Sequence, residues 1–192
     1  MRKNWAALAL TGMLCLTTFA GTQTVSAETA DSAKQVDIVF THDTHSHLNT
    51  FTTVVDDAEK EVGGFARINT LIQEQKAKNP DTLVIDGGDF SMGTLIQTVF
   101  ETQAAEIRML GYMGCDVTTL GNHEFDYRSK GLANMLNSAT ESGDNLPALV
   151  VCNVDWDSME QTGLSDGQQQ IQSAFETYGV KDYVVLQKGN VK

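Results

Sequence analysis

Short apolar runs alternate with longer amphipathic segments along the chain. Runs rich in β-branched and other apolar residues predict five strands, at 36–41, 82–86, 117–120, 148–152 and 183–186. Apolar side chains recur at helical spacing over 65–78 and 95–113, and a third helix is marked by Leu132, Met135 and Leu136. Pro80 follows the first of these helices and ends it.

The alternation of strands and helices is typical of βαβ units. It predicts an α/β fold with a mostly parallel sheet, helices on both faces and right-handed crossovers. Two polar segments lack this pattern. The acidic segment 56–61 predicts a solvated loop, and residues 155–170 predict a loop or insertion before a short helix at 171–178.

The first 27 residues have the parts of a secretory signal peptide. Arg2 and Lys3 are basic, residues 5–20 are mostly apolar, and residues 25–27 form a small-residue cleavage site. The apolar run is shorter than the ~20 residues that span a bilayer, so we expect cleavage and no membrane span in the mature chain. An uncleaved anchor is the alternative. Residues 28–35 then form a short linker, and the protein is secreted or held in the cell envelope.

The charge balance excludes some partners. The chain has 25 Asp and Glu against 13 Lys and Arg, which gives a formal net charge of −12. A nucleic-acid polymer or an anionic membrane selects clustered basic residues, and the sequence has no such cluster. Of the cysteines, Cys115 and Cys152 lie at opposite ends of neighbouring predicted strands, so we expect two buried free thiols.

Polar side chains follow four of the predicted strands, at the point where each strand ends. These segments are His42-Asp43-Thr44-His45-Ser46-His47, Gly87-Gly88-Asp89, Gly121-Asn122-His123-Glu124-Phe125-Asp126 and Asn153. All four histidines of the chain lie in them. Because the carboxyl ends of parallel strands meet at one edge, the sequence predicts a ligand site there. Mixed carboxylate, amide and imidazole donors suit Zn, Mn, Fe or Co.

Each segment also has a structural interpretation. Gly-Gly-Asp is compatible with a simple turn, Asn122 with a helix N-cap, and Asn153 with a strand-end turn. The combination at one sheet edge is what favours a metal site over these separate roles.

The order Asp-x-His, then Gly-Asp, then Gly-Asn-His-Glu resembles the calcineurin-like metallophosphoesterases. The longer form Gly-Asn-His-Glu-Phe-Asp, with Asn153 after the next strand, is similar to the secreted 5'-nucleotidase branch, which also hydrolyses UDP-sugars and 2',3'-cyclic nucleotides. The resemblance implies a four-layer domain that hydrolyses phosphate esters of extracellular nucleotides. It also implies two divalent metal ions and an activated water as nucleophile.

The resemblance also implies roles for single residues. It makes Asp43 and His45 ligands of the first metal, Asp89 a bridging ligand, Asn122 a ligand of the second metal, His123 the catalytic histidine and Asp126 the carboxylate that orients it. His42 stands where many relatives carry Asn, and Ser46 where they carry Gly. We expect His42, His47 and Asn153 to support the ligands or to face the substrate.

The resemblance further implies that residues 36–192 are the N-terminal part of an incomplete domain. The family completes its site with later histidines in a Gly-His-x-His segment, whereas no histidine follows His123. The C-terminal part that binds the nucleoside is then the missing partner, and the chain alone is expected to be weak or inactive. The rival hypotheses are a non-catalytic secreted α/β module that binds metal or ligand, and a secreted structural or adhesion protein.

Overall fold

The computed structural model describes residues 35–192, and the predicted signal peptide and nearly all of the linker lie outside them. The strands are β1 Ile38–Thr41, β2 Phe51–Val55, β3 Ala58–Val62, β4 Leu83–Asp86, β5 Val117–Thr118 and β6 Ala148–Leu149. The helices are α1 Phe65–Lys78, α2 Phe100–Gln103, α3 Ala105–Tyr112, α4 Arg128–Glu141, α5 Trp156–Thr162 and α6 Asp166–Tyr178, with 3-10 turns at Leu95–Val99 and His123–Phe125. None of the helices described is both long enough and apolar enough to cross a bilayer.

The main sheet has four parallel strands in the order β1-β4-β5-β6. Phe40 pairs with Ile85, and Val117 pairs with both Ile85 and Ala148. The mostly parallel α/β fold predicted from the sequence is therefore confirmed. It brings the carboxyl ends of all four strands to one edge, which is where the polar segments begin.

The two faces of this sheet differ in burial. Val84, Thr118 and Leu149 are buried on the face that packs against the helical core, which includes Phe65 and Leu132. On the other face, the described residues leave two apolar side chains of the edge strand β1 open, with Ile38 and Phe40 at 57% and 59% exposure. A groove of about 630 Å³ runs along this face.

The acidic segment predicted as a solvated loop is part of an antiparallel β-hairpin, so that prediction is wrong. Strands β2 and β3 pair from Phe51 opposite Val62 to Val55 opposite Ala58. Asp56 and Asp57 form the two-residue connection, with φ of 53° and 59°. Tight hairpin turns require positive φ, and Asp tolerates it better than most residues.

The segment predicted as one helix over 95–113 is broken into three pieces. The break between α2 and α3 lies at Ala104, which is fully buried and has a left-handed φ of 47°. Its N–H donates to the carbonyl of Phe100 at 3.1 Å, which ends α2. A left-handed alanine carries no sequence signal, because glycine or asparagine is the usual residue at such a position.

Residues 155–170 are not the predicted loop, because they contain α5 and the start of α6. Both helices begin at a capping residue: Asp155 accepts from the N–H of Ser158, and Ser165 forms a capping box with Gln168. These capping residues can be recognised in the sequence. The segment is mostly polar, however, so it lacks the clear helical spacing of apolar residues that predicts a helix.

The C-terminal end differs from the prediction in two respects. Residues 183–186 form no strand, and the parallel pairing beside β6 is instead a single bridge between Lys181 and Val150. Cys115 is buried as expected, whereas Cys152 is exposed, and both are free thiols.

The capping box of α6 gives a test of this local structure. Ser165→Ala removes the side-chain acceptor at the start of the helix, so we expect the free energy of unfolding to fall by about 1 kcal/mol in urea denaturation. Ser173→Ala is the matched control, because Ser173 is exposed within the same helix and alanine favours helix there. Equal stability of the two variants would contradict the capping role.

Candidate metal centre

The loop after β1 runs alongside the loop after β4. Three backbone N–H groups of the first loop donate to consecutive carbonyls of the second: Asp43 to Gly88 at 3.0 Å, His45 to Asp89 at 3.1 Å and Ser46 to Phe90 at 2.8 Å. The Asp-x-His and Gly-Asp segments are therefore fixed in register by main-chain contacts beyond the end of the sheet.

The candidate ligands lie on strained backbone. Asp43, His45 and Asp89 have φ of 51°, 43° and 52°, in the left-handed region that costs an L-residue on the order of 1–2 kcal/mol. Strain of this kind persists only where surrounding contacts hold it, and it is concentrated at functional sites. The turn residues Asp56 and Asp57 share this conformation, so it supports a ligand role only together with the contacts of these loops.

Two glycines allow the loops after β4 and β5 to touch. A Cβ on Gly88, whose φ is 85°, would lie 2.6 Å from the N atom of Gly121. A Cβ on Gly121 would overlap the carboxylate of Asp89. Any side chain at either position would therefore separate the Gly-Asp segment from the Gly-Asn-His segment.

A buried carboxylate contacts both of these loops. Glu124 is fully buried, and its oxygens accept hydrogen bonds from the N–H of Asp89 at 3.0 Å, from the N–H and hydroxyl of Ser91 at 2.9 and 2.8 Å, and from the N–H of Gly121 at 2.6 Å. Four donors satisfy the charge that burial would otherwise penalise. Sequence reasoning missed this role, although an acidic residue inside a Gly-Asn-His-Glu segment was the available signal.

A second buried acid supports the strand ends. Asp86 accepts from the hydroxyl of Thr41 at 2.7 Å, the hydroxyl of Thr118 at 2.9 Å and the N–H of Gly88 at 3.0 Å. Burial raises the pKa of Asp86, and these hydrogen bonds oppose the rise. Asp86 thus connects the ends of β1, β4 and β5, a role that was also not predicted.

Three of the predicted site residues converge. His45, Asp89 and His123 each offer a ligand atom, and these atoms lie within 4.8 Å of one another. The rings of His45 and His123 meet edge to face with centroids 5.1 Å apart. Nδ1 of His45 lies 3.3 Å from the carbonyl of Ser91, which can only accept, so Nδ1 carries the proton and Nε2 is free to bind a metal.

Asn122 lies beside this group. With its amide oriented so that both atoms have a partner, its nitrogen donates to Asp89 Oδ2 at 3.1 Å and its oxygen accepts from the N–H of His123 at 3.2 Å. The imidazole, carboxylate and amide groups at this point are a donor set that fits a divalent transition metal. No thiolate is needed.

His123 is held by the carboxylate predicted to orient it. Its Nδ1 lies 2.9 Å from Asp126 Oδ2, across one 3-10 turn. This hydrogen bond is the main cause that raises the pKa of His123, and the negative charges of Asp126, Asp89 and Glu124 act in the same direction. The ring therefore keeps its proton to higher pH than a free histidine.

The other predicted residues lie around this cluster. The carboxylate of Asp43 pairs with Nδ1 of His42 at 2.8 Å and is outside the three-residue group. His47 donates from Nδ1 to the carbonyl of Thr44 at 3.2 Å. Asn153 lines a separate cavity of about 390 Å³ beside the 3-10 turn of His123. The roles of Asp43 and of these three side chains stay predictions, as do those of the other predicted site residues.

The fold and site define an α/β protein with a candidate metal-binding cluster at the strand ends. Residues 36–185 match the family of calcineurin-like phosphoesterases, which use divalent metals. Because the match covers more than half of the chain, the chain belongs to the calcineurin-like phosphoesterase family. The resemblance stated from the sequence motifs is thereby confirmed.

Relatives and solved structures agree with this assignment. A 5'-nucleotidase of Mus musculus is 36% identical over 110 residues, which are 56% of this chain and 19% of that protein. A 5'-nucleotidase-related protein of Glossina morsitans morsitans is 31% identical over 151 residues, which are 75% of this chain and 26% of that protein. The crystal structure of a 5'-nucleotidase precursor from Thermus thermophilus matches 79% of this chain and 26% of its own length, with a TM-score of 0.62 and 26% identity. The chain thus spans about a fifth to a quarter of the length of these proteins.

The link between Asp126 and His123 predicts a pH effect. Asp126→Asn removes the negative partner, so the pKa of His123 should fall towards its ordinary value of ~6.5 in an NMR titration of the metal-free chain. In the unchanged chain, the contact favours the protonated ring. The contact with Asp126 therefore contributes fully to the stability of the folded state below pH ~6.5. This contribution is lost as the pH rises through the raised pKa of His123 in the folded state.

The remote Asp166→Asn variant is the control for this titration, because Asp166 is exposed at the start of α6. It should leave the titration of His123 unchanged. An unchanged titration in Asp126→Asn as well would show that the carboxylate does not hold the ring.

Proposed function

We propose that the chain forms part of a metal-dependent hydrolase that removes phosphate from nucleotides, outside the cytoplasm or in the cell envelope. The convergence of His45, Asp89 and His123 at the strand ends is the observation that carries the proposal. The family match supports the reaction class, and the 5'-nucleotidase relatives support a nucleotide as substrate. The predicted signal peptide supports the location.

Four side chains would hold two divalent ions. Asp43 and His45 lie on the loop after β1, Asp89 lies between them and the next loop, and Asn122 faces Asp89. Bound ions would supply Lewis-acid activation of a water and of the phosphoryl group. They would also offset the net charge of −12, which would otherwise repel an anionic substrate.

His123 would stabilise the charge that develops on the substrate. With Nδ1 held by Asp126, its other ring nitrogen is directed away from the carboxylate and can donate to a phosphoryl or leaving-group oxygen. The raised pKa favours the protonated ring that can make this donation. A carboxylate also orients many histidines that bind metals, so the family match is what supports an enzyme over a binding module.

We also propose that further residues complete the site. Asp43, His45, Asp89 and Asn122 are too few to fill the coordination of two ions, even with water. The relatives are four to five times longer than the aligned part of this chain, which leaves ample sequence for further ligands and for a nucleoside-binding part.

Metal binding tests the site without any assumption about the substrate. Asp89→Asn should weaken binding of Mn²⁺ or Zn²⁺ by about tenfold or more, because it removes the carboxylate at the centre of the donor set. Isothermal titration calorimetry on the 192-residue chain gives the affinities. Asp166→Asn makes the same chemical change on the exposed surface and should bind as the unchanged chain does. Equal affinity in all three proteins would contradict the proposed centre.

Turnover separates the enzyme from the binding module. In the protein encoded by the complete gene, His123→Asn should lower phosphate release from AMP, UDP-glucose or 2',3'-cyclic AMP by about a hundredfold or more. Metal content, measured by mass spectrometry, should remain close to that of the unchanged protein. Absence of metal-dependent turnover in the unchanged protein with all three substrates would favour the non-catalytic module.

A further inference from the structure

A buried glutamate reaches the first ligand loop from the helical side of the molecule. Glu106 lies in α3, is fully buried, and accepts a hydrogen bond from the hydroxyl of Ser46 at 2.7 Å. Ser46 is itself fully buried and follows His45 directly in the chain. The contact joins residues 60 positions apart, so it depends on tertiary structure.

The Glu106 side chain has no hydrogen bond to any other residue in the part of the chain that the structure describes. Its second oxygen, Oε2, is buried without a hydrogen-bond partner there. Burial raises the pKa of Glu106, the bond from Ser46 opposes the rise, and the charge of buried Glu124 adds to it. A buried acid with one partner is costly in a core that an apolar residue could fill. This energetic cost of burying Glu106 draws attention to its hydrogen bond with Ser46, which an apolar residue could not make.

Ser46 is the residue at which the loop needs support. Its φ of 54° follows the φ of 43° at His45, so two consecutive non-glycine residues are left-handed. Such residues lack the freedom of glycine and are retained only where their surroundings hold them. The carbonyl of Ser46 accepts from the hydroxyl of Thr94 at 2.7 Å, and its N–H donates to Phe90. The side-chain bond to Glu106 is the contact that comes from the helical core.

We propose that the Ser46–Glu106 hydrogen bond is a positioning contact that holds the left-handed backbone of His45 and Ser46 and so directs His45 into the metal cluster. The inference rests on the proposed metal centre. Neither residue touches the metal or the substrate, and the effect passes through the backbone to the imidazole of His45.

The affinity for a metal alone tests this contact. Ser46→Ala keeps a Cβ on the strained backbone but removes the hydroxyl, so we expect Mn²⁺ or Zn²⁺ to bind about tenfold more weakly to the 192-residue chain in calorimetry. Glu106→Gln retains an oxygen that can accept from Ser46, so its affinity should stay close to that of the unchanged chain. Ser46→Gly also lacks the hydroxyl but tolerates positive φ, so it should recover part of the loss.

A control separates positioning from packing. Ser138→Ala deletes a hydroxyl that bonds the carbonyl of Glu101 away from the cluster, and it should lower stability without changing metal affinity. A Ser46→Ala variant that behaves in the same way would overturn the proposal. A loss in Glu106→Gln as large as that in Ser46→Ala would also overturn it, because the charge of Glu106 rather than the hydrogen bond would then matter.

Amide hydrogen exchange gives a readout that does not need metal. In the metal-free chain, the N–H groups of His45 and Ser46 bond to the loop after β4, and they should exchange about tenfold faster in Ser46→Ala if the loop loosens. If the unchanged chain binds no metal, the proposed function fails, and the exchange rates still decide the positioning contact. Unchanged rates together with unchanged metal affinity would refute it.

Discussion

The buried carboxylate of Glu124 is the contact on which the arrangement of the candidate centre depends. It is the point where the loop that carries Asp89 meets the loop that carries His123, and its oxygens accept from both. A carboxylate is well suited to this task, because it offers several acceptor sites and no donor. Backbone N–H groups that would otherwise be unpaired at the strand ends are thereby satisfied, and the glycines between them let the two loops approach.

Glu124 is one of three buried acids that contact the strand ends and the loops of the candidate centre. Asp86 joins three strand ends, Glu124 joins two loops, and Glu106 reaches the remaining loop from a helix. Burial disfavours the charged form and raises the pKa of both Asp86 and Glu106, and the charge of Glu124 adds to the rise for Glu106. In their ionised form these acids would favour cations at the strand ends, where the imidazole and carboxylate donors lie.

The sequence predicted the parts of this structure that follow from local patterns. The apolar runs located β1, β4, β5 and β6, and the topology of parallel sheets then implied that the segments after them converge. The grouping of His45 with Asp89 and His123 agrees with that reasoning.

The remainder depended on information that local patterns do not contain. The left-handed Ala104 that divides two helices follows from tertiary packing, because the residue has no preference for that conformation. The burial and the hydrogen-bond partners of Glu106 and Glu124 could not be predicted either, since an acidic residue in a helix or turn is usually solvated. Helix α5 and the beginning of α6 were missed because capping residues, rather than a strong apolar period, define them, whereas the later part of α6 was predicted.

The position of β1 at the sheet edge has a consequence for how ions would reach the site. Among residues 35–192, the loop after β1 has a neighbouring strand on one side only, and Asp43 is 54% exposed there. A centre bordered by solvent in this way can exchange its ions without unfolding, so occupancy would follow the free metal concentration outside the protein rather than be fixed during folding. In the location proposed for this chain, the available metals of the surroundings would then select which ion is used.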